Sequence, residues 1–277
     1  DILRMKKLGF NMLRKHAKIE PERFYYHCDQ LGMLVWQDMV NGGSPYKHWF
    51  VTYLATLMNW NHISFSDDEK HAGLLSRLHP EGKDEFRREI TETIAFLYNH
   101  PSIVVWVPFN EGWGQFDALA ACEQIRTLDS SRLVDHASGW FDQKGGDILS
   151  LHYYFLKLKF KPESKRAAAL TEFGGYSLSI PGHSCCKKVY GYKKFNSTGA
   201  LTYGYIDLIR QTILPAVKKG IGATVYTQLS DIEEETNGIY TYDREICKID
   251  PDTLRKWNRA LKEAGECKTY ADHTTDH

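Results

Sequence analysis

The sequence predicts an α/β fold in which helices cover both faces of a parallel sheet. Three observations support this class. Short apolar runs recur along the 277 residues, a helical pattern separates each run from the next, and the runs are apolar throughout instead of alternating with polar residues. Strands buried on both faces have this continuous apolar character, and regular alternation of strand and helix is typical of parallel sheets.

The predicted elements follow one another in a regular order. We predict strands at residues 10–15, 33–38, 103–109, 132–136, 147–152, 168–173 and 221–227. We predict helices at residues 21–31, 84–99, 116–128, 202–219 and 251–264. The helix at 84–99 has an apolar stripe facing the core, formed by Phe86, Ile90, Ile94 and Leu97.

The number of strands points to a barrel. An eighth strand in front of residue 1 would complete a (β/α)8 or TIM barrel, so we expect the sequence to lack the first barrel strand. The expected barrel domain spans residues 1–264, and residues 265–277 are expected to be a polar tail. Residues 40–83 are expected to be a long functional loop on the face where barrel enzymes keep their active sites.

Composition argues against several classes of protein and partner. Lys+Arg and Asp+Glu each number 35, which argues against nucleic acid or an anionic membrane as the main partner. No apolar run reaches the roughly 18 residues of a membrane span. The six cysteines have no C-x-x-C spacing and favour a reducing compartment, with the cytoplasm as the expected location. The chain starts inside a helical pattern without Met, so we expect a longer natural protein.

Two glutamates follow predicted strands. Glu111 lies just past the strand at 103–109 in VVWVPFNEGWGQFD, and Glu172 lies at the end of the strand at 168–173 in LTEFGGYS. The carboxyl ends of barrel strands meet in one ring, so two such carboxylates can face each other across its mouth. Glycoside hydrolysis needs this pair, because one carboxyl group protonates the leaving oxygen while the other attacks or activates water. The alternative is a pair of unrelated glutamates that lie on the surface or form salt bridges.

Four segments in a matching order resemble glycoside hydrolase family 2, which contains β-galactosidases, β-glucuronidases and β-mannosidases. They are FNMLRKHAKIEPERFYYHCDQLGMLVWQDM (Phe10–Met39), NHPSIVVWVPFNEGWG (Asn99–Gly114), LTEFGGYS (Leu170–Ser177) and YTQLSDIEEETNGIYTYDR (Tyr226–Arg244). The resemblance covers nearly all of residues 1–264 and implies barrel strands two to eight. It also implies a retaining mechanism that passes through a covalent glycosyl-enzyme intermediate.

The resemblance assigns the central roles. Glu111, at the end of barrel strand four, would be the general acid/base, and Glu172, at the end of strand seven, would be the nucleophile. Asn110 is expected to bind the 2-hydroxyl of the sugar, where the interaction strengthens in the transition state. Trp113 is expected to line the cleft and shield the acid from water.

The second and third barrel strands contribute further sugar-binding candidates by the same resemblance. Arg14 and His16 end the second strand, and Arg14 is expected either to pair with Glu172 or to form a structural salt bridge. Asp38 ends the third strand. It is expected either to bind sugar hydroxyls or to be a structural carboxylate that caps a helix or pairs with an arginine.

The later strands supply the remaining candidates. His152 and Tyr154 end strand six, where the family provides a histidine and a tyrosine that hydrogen-bonds the nucleophile. Tyr154 is preferred for that role, with Tyr153 as the alternative. Trp140 ends strand five and is expected either to stack on the sugar or to belong to the core.

Strand eight departs from the family pattern. Tyr226 stands where many relatives have Trp at the floor of the pocket, and Gln228 follows it as a further binding candidate. Glu233–Glu235 is interpreted as a solvated acidic run, which is the usual state of consecutive charges.

We predict no metal and no other cofactor. Large β-galactosidases of the family hold magnesium beside the acid/base, but its ligands are not recognisable in WQDMVNGGS (Trp36–Ser44). A chelator should therefore leave activity unchanged. The expected partner is a carbohydrate substrate, and β-sandwich domains are expected before or after the barrel in the longer protein.

The sequence therefore predicts a retaining β-glycoside hydrolase that removes terminal β-linked sugars, with β-galactosides favoured. Two alternatives stay open. The barrel is an endo-acting glycosidase of another family with the same carboxylate arrangement, or it is a non-catalytic remnant that binds carbohydrate.

Overall fold

The described part of the chain divides into two units. The computed structural model describes residues 1–47, 49–61, 63–154 and 158–271. The N-terminal unit comprises Asn11–His152 and Glu163–Ala167, and the C-terminal unit comprises Asp1–Phe10, Tyr153–Pro162 and the residues from Ala168 onward. Residues 272–277, the end of the predicted polar tail, lie outside the described residues.

Strands and helices alternate along the chain. The strands are β1 (Met12–Lys15), β2 (Leu34–Asp38), β3 (Ile103–Val107), β4 (Leu133–Val134), β5 (Ile148–Tyr153), β6 (Ala167–Gly174), β7 (Tyr176–Ser177), β8 (Lys193–Lys194) and β9 (Ile221–Thr227). The α-helices are α1 (Ile2–Lys7), α2 (Glu22–Leu31), α3 (Ala55–Trp60), α4 (Pro80–Leu97), α5 (Ala118–Leu128), α6 (Thr198–Leu208), α7 (Leu214–Lys218) and α8 (Pro251–Ala271). Two π-helical segments span Trp49–Leu54 and Ile209–Ile213. Every predicted strand and helix overlaps an observed element of the same type.

The N-terminal unit contains a four-stranded parallel sheet in the order β1-β2-β3-β4. The register pairs Leu13 with Val35 and Trp36 with Val105. Because the strands are parallel, their carboxyl ends lie at the same edge, and the residues that follow β1, β2, β3 and β4 gather there. This edge holds the polar residues of the N-terminal unit described below.

Helix α4 packs its predicted apolar stripe into the core. Phe86, Ile90, Ile94 and Leu97 are all buried, as the helical spacing predicts. The helix begins at Pro80, four residues before the predicted start at residue 84. Proline favours the first helical turn because its missing N–H would have no partner within the helix.

Residues 40–83 are partly helical, so the prediction of one long loop is wrong for residues 49–60. This part of the chain contains the π-helix Trp49–Leu54 and helix α3. Phe50, Ala55 and Leu75 pack with Trp140 and Phe141 in one apolar cluster. The burial of these side chains offsets the entropy of ordering the segment.

The C-terminal unit pairs β6 with β9 in parallel. The connection between these strands includes α6, whose N-cap Ser197 accepts a hydrogen bond from the backbone N–H of Ala200 at 3.2 Å. Helix α8 packs against α7, and Asn258 Nδ2 donates to Leu8 O at 2.9 Å, which ties α8 to the end of α1. Helix α8 continues to Ala271, past the predicted end at residue 264.

Within the described residues the strands form separate sheets, and they do not close into one ring of eight. The absence of a first barrel strand stays a prediction. The helices in the described ranges are all too short or too polar to cross a membrane.

Asp129 follows α5 and is held by several donors inside the N-terminal unit. Ser131 N donates to Oδ1 at 2.9 Å, and Trp106 Nε1 donates to Oδ2 at 2.9 Å. Arg132 Nη1 lies 2.5 Å from Oδ2. Burial by itself raises the pKa of Asp129, but the hydrogen bonds from Ser131, Arg132 and Trp106 outweigh it and lower the pKa to about 2.

The Asp129→Asn variant is therefore expected to lose stability in a pH-dependent way. A carboxyl pKa that falls from 3.8 to about 2 on folding stabilises the fold by about 2 kcal/mol above pH 5. This contribution falls to roughly half at pH 3 and is largely lost at pH 2, below which both states are protonated. Urea unfolding of the unaltered protein and of Asp129→Asn, at pH 7 and at pH 3, measures the difference in their free energies of unfolding. A difference of equal size at the two pH values would contradict the ionic contribution.

Candidate functional site

Glu111 stands on a tight turn directly after β3. Its N–H donates to Ser138 O at 2.8 Å, and Ser138 N–H donates to Phe109 O at 2.9 Å, so the turn is anchored to the segment after β4. Glu111 has a φ of 51°, in the left-handed region that costs a non-glycine residue roughly 1 kcal/mol. Gly112 follows at φ 71°, and a Cβ there would lie 2.4 Å from Phe141 Cδ2, so glycine is required.

The turn after Glu111 is also held by the partly helical segment. Gly114 N–H donates to Leu75 O at 2.8 Å, and the buried Arg77 donates from Nε to Gly114 O at 2.9 Å. Leu75 belongs to the apolar cluster and accepts from Gly114, so this cluster also helps to fix the backbone beside Glu111.

His152, at the end of β5, contacts the Glu111 carboxyl group. Its Nδ1 lies 2.9 Å from Glu111 Oε1. The imidazole is fully buried, whereas the Glu111 side chain is 16% exposed, which leaves the carboxyl group partly open to solvent. The sequence predicts both residues for the site, and the structure brings them together.

Behind His152 lies a row of buried polar groups that the sequence did not identify. His152 Nε2 lies 3.1 Å from Ser138 Oγ, and Ser138 Oγ lies 3.2 Å from Ser150 Oγ. Ser150 Oγ in turn lies 2.9 Å from Asp135 Oδ2. One signal could have shown part of this row: Ser150 and His152 are two apart on a strand and so share one face.

Arg14, Asp38 and Asn110 form a second polar cluster at this edge of the sheet. Arg14 donates from Nε to Asp38 Oδ1 at 3.0 Å, from Nη2 to Asp38 Oδ2 at 2.9 Å, and from Nη2 to Asn110 Oδ1 at 2.8 Å. The structural salt bridge, one of the two expectations for Arg14 and Asp38, is therefore present. The pairing of Arg14 with Glu172 stays a prediction.

Asp38 and His16 complete this cluster. His16 Nδ1 lies 3.2 Å from Asp38 Oδ2, with the His16 side chain 53% exposed. Burial by itself raises the pKa of Asp38, but the charge of Arg14 and the contact with His16 outweigh it and lower the pKa below the usual range. Asp38 is thus an ionised anchor, and His16 is the member of the cluster that reaches solvent.

The two tryptophans predicted for the site differ in exposure. The ring of Trp113 lies 5.1 Å from that of Tyr46. Because Trp113 is 36% exposed, part of its side chain can contact a ligand. Trp140 is 8% exposed and belongs to the apolar cluster with Phe50 and Phe141. Trp140 therefore has the core role that the sequence left open, and its stacking on a sugar stays a prediction.

Asp38 and Asn41, two side chains of Trp36–Ser44 with oxygen ligands, already bind arginines. Both Asp38 oxygens accept from Arg14, and Asn41 Oδ1 accepts from Arg77 Nη2 at 2.9 Å. Magnesium requires oxygen ligands that face the ion. A cation at these oxygens would have to displace two buried arginines.

In the C-terminal unit, Tyr154 holds Glu172. Glu172 lies near the end of β6, and Tyr154 Oη donates to its Oε2 at 2.5 Å. Tyr154 Oη also lies 3.0 Å from Thr227 Oγ1, and its ring stacks on Tyr192 at 3.9 Å between centroids. The contact to Glu172 is made by Tyr154, the residue preferred over Tyr153.

The side chains of Tyr226 and Gln228, at the end of β9, have different surroundings. Tyr226 is buried between Phe173 and Tyr205, with ring centroids 5.5 Å away in both cases. Gln228 Nε2 donates to Glu235 Oε2 at 2.9 Å and to Asn237 Oδ1 at 2.6 Å. The interpretation of Glu233–Glu235 as a solvated run is therefore wrong for Glu235, because the turn folds its carboxylate back onto Gln228.

Comparison with known proteins identifies the family. A family model described as "Glycosyl hydrolases family 2, TIM barrel domain" matches residues 1–212. The chain belongs to glycosyl hydrolase family 2. The TIM-barrel class predicted from the sequence is confirmed by this match, as is the predicted membership of a glycosidase family.

Curated members of family 2 are similar to this chain at low identity. A β-galactosidase of Leuconostoc mesenteroides is 26% identical over 285 residues, which cover 98% of this chain and 24% of that protein. A β-mannosidase B of Thermothelomyces thermophilus is 32% identical over 94 residues, which cover 34% of this chain and 8% of that protein. The chain thus spans about a quarter or less of the length of these relatives.

Solved family 2 structures share the fold. A β-D-glucuronidase of Dictyoglomus thermophilum matches with a TM-score of 0.62 and 15% identity over 93% of this chain and 46% of that one. A β-galacturonidase of Eisenbergiella tayi bound to galacturonate matches with a TM-score of 0.63 and 18% identity over 94% of this chain and 46% of that one. At these identities the likeness concerns the fold alone.

Proposed function

We propose that the protein is a retaining β-glycoside hydrolase in which Glu111 is the general acid/base and Glu172 is the nucleophile. In the first step Glu172 attacks the anomeric carbon while a proton from Glu111 passes to the leaving oxygen. In the second step Glu111 takes a proton from a water molecule whose oxygen attacks the anomeric carbon and breaks its bond to Glu172, so the sugar leaves with its original configuration. Asn110, Trp113, His16 and Gln228 are the proposed sugar-binding residues.

The observation that carries this proposal is the different setting of the two carboxyl groups. Glu172 accepts the hydroxyl hydrogen of Tyr154 at 2.5 Å, and a donated hydrogen bond favours the ionised form that attacks as a nucleophile. Glu111 instead meets a buried imidazole, a group that can either donate or accept a proton. A single contact through Oε1 leaves Oε2 of Glu111 available to give and take a proton in turn.

The proposed substrate is a terminal β-linked neutral sugar, with β-galactosides favoured. The named β-galactosidase aligns with 98% of this chain, whereas the β-mannosidase match covers 34% of it. A uronic acid would need a cation for its carboxylate, and the buried Arg14 is already paired with Asp38. We also propose that the protein lacks the first barrel strand within residues 1–277 and that β-sandwich domains accompany the barrel.

Release of nitrophenol from a panel of α- and β-nitrophenyl glycosides tests the function. We expect cleavage of one β-glycoside by the full-length protein, and ¹H NMR should show the β-anomer of the sugar as the first product. A first-formed α-anomer would contradict the retaining mechanism. Silence on every monosaccharide together with cleavage of a polysaccharide would favour the endo-acting alternative, and binding without any cleavage would favour a carbohydrate-binding remnant.

The Tyr154→Phe variant tests the assignment of the nucleophile. Loss of the hydroxyl removes the hydrogen bond to Glu172, so kcat is expected to fall by about 10- to 100-fold. The matched control is Tyr153→Phe, which removes the same group one residue earlier and should retain kcat within about threefold. Steady-state kinetics on the cleaved nitrophenyl glycoside provide the measurement. An equal loss in both variants would place the effect in the fold and not in the contact with Glu172.

A further inference from the structure

Five polar groups of the N-terminal unit form a continuous row from the interior to the proposed acid/base. In order they are Asp135, Ser150, Ser138, His152 and Glu111, with successive distances of 2.9, 3.2, 3.1 and 2.9 Å. Asp135 directly follows β4 and is fully buried. The row therefore joins a buried carboxyl group to the residue proposed to exchange protons with the substrate.

The environment of Asp135 favours its neutral form. Its Oδ1 is buried with no hydrogen-bond partner among the described residues, and its Oδ2 has the hydroxyl of Ser150 as partner. A buried carboxylate normally needs a cation or several donors. Arg14, whose charge acts on Asp135, is already paired with Asp38.

The pKa of Asp135 agrees with that conclusion. Burial raises the pKa of this carboxyl group, and the negative charge of Asp38 acts in the same direction. Arg14, His136 and the hydrogen bond with Ser150 oppose the rise without cancelling it.

A neutral Asp135 allows one consistent direction of hydrogen bonds along the row. A protonated Asp135 can donate its O–H to Ser150 Oγ, its hydrogen-bond partner within the described residues, whereas an ionised Asp135 would accept from Ser150. In that direction the single hydroxyl hydrogen of Ser150 points to Ser138 Oγ and that of Ser138 points to His152 Nε2. A neutral imidazole that accepts at Nε2 carries its hydrogen on Nδ1, which then donates to Glu111 Oε1.

We propose that Asp135, Ser150 and Ser138 are positioning residues that hold His152 as the Nδ1–H tautomer, so that His152 donates to Glu111 Oε1 and leaves Oε2 to carry the transferable proton. This inference rests on the proposed role of Glu111. Proton transfer from Oε2 to the leaving oxygen turns Glu111 into a carboxylate, and the Nδ1–H bond stabilises the charge that develops. In the second step Oε2 takes a proton from water while His152 keeps its own.

The tautomer can be measured without any enzymatic turnover. Long-range ¹H–¹⁵N NMR spectra separate protonated from unprotonated ring nitrogens, and His152→Gln assigns the signals. We expect His152 to carry hydrogen on Nδ1 with Nε2 unprotonated, and we expect Ser138→Ala to change this state. An Nε2–H tautomer or an imidazolium in the unaltered protein would overturn the inference.

The kinetic test uses leaving groups that differ in their need for a proton. Ser138 and His152 separate Ser150 from Glu111 along the row, and Ser150→Ala should lower kcat/KM about tenfold for phenyl glycosides but little for dinitrophenyl glycosides. A good leaving group departs as an anion and needs no acid. An equal loss on both substrates would indicate a structural effect and overturn the inference.

Asp135→Asn and Asp135→Leu provide the matched pair. The asparagine amide still donates to Ser150, so Asp135→Asn should restore most of the activity that Asp135→Leu loses on phenyl glycosides. An asparagine variant as impaired as the leucine variant would overturn the inference. Should Asp135→Leu fail to fold, Ser150→Ala and the NMR experiment decide the question by themselves.

Glu111→Ala separates this inference from the proposed function. It should show the same selectivity for leaving groups as Ser150→Ala, with a larger loss of about 10²- to 10⁴-fold on phenyl glycosides. A Glu111→Ala variant without that selectivity would refute Glu111 as the acid. A selective Glu111→Ala variant beside an unaffected Ser150→Ala variant would refute the positioning row alone.

Discussion

Glu172→Ala is expected to abolish hydrolysis of every β-glycoside that the protein cleaves. The substitution removes the group proposed to bond to the anomeric carbon, and kcat should fall by roughly 10⁴-fold or more. Alanine also leaves a space in which a small anion can take the place of the carboxylate. Added azide should therefore restore turnover and give a glycosyl azide of inverted, α configuration. Nitrophenol release and ¹H NMR of the product measure both effects.

Glu111→Ala is the control that distinguishes the two carboxyl groups. Azide replaces Glu111 on the opposite face of the sugar, where it attacks the glycosyl-enzyme and gives a β-glycosyl azide. The two variants should therefore form azides of opposite configuration. The same configuration from both, or full activity of Glu172→Ala, would be inconsistent with the proposed roles.

Lys248→Met is expected to cause the largest loss of stability. Lys248 is fully buried, and its Nζ donates to Asp231 Oδ1 at 2.5 Å, Leu178 O at 2.9 Å and Thr236 O at 2.8 Å. Removing the ammonium group leaves Asp231 buried without its cation, which costs about 3–5 kcal/mol. For a chain of this size the melting temperature should fall by roughly 10 °C. Calorimetry of both proteins measures the difference.

Two controls identify the cause of that loss. Lys187→Met changes an exposed lysine and should alter stability by less than about 0.5 kcal/mol. The double variant Lys248→Met with Asp231→Asn no longer buries an unpaired charge and should recover part of the loss. If the double variant were less stable than Lys248→Met alone, packing around Lys248 would explain the loss better than its charge.

The sequence predicts the elements well because their signals are local. Continuous apolar runs identify the strands, and the spacing of Phe86, Ile90, Ile94 and Leu97 identifies the buried face of α4. The start of α4 at Pro80 was missed, although proline at the first helical position is itself a local signal. Residues 49–60 were missed because their helices are short and depend on packing against Trp140 and Phe141.

The sequence by itself determined which residues stand at the ends of strands, because strand ends follow from local patterns. Local patterns identify Glu111 and Glu172 in this way, whereas His152 and Tyr154 are identified by the resemblance to family 2. Only the tertiary structure decided which of them have buried partners. It paired Asp38 with Arg14, folded Glu235 back onto Gln228 and lined up Asp135, Ser150 and Ser138 behind His152. Gln228 and Glu235 are only seven residues apart, and a turn brings them together. The contacts of Asp38 and of Asp135, Ser138 and Ser150 join residues at or just past different strands, and their distances depend on how those strands are aligned, which no local pattern encodes.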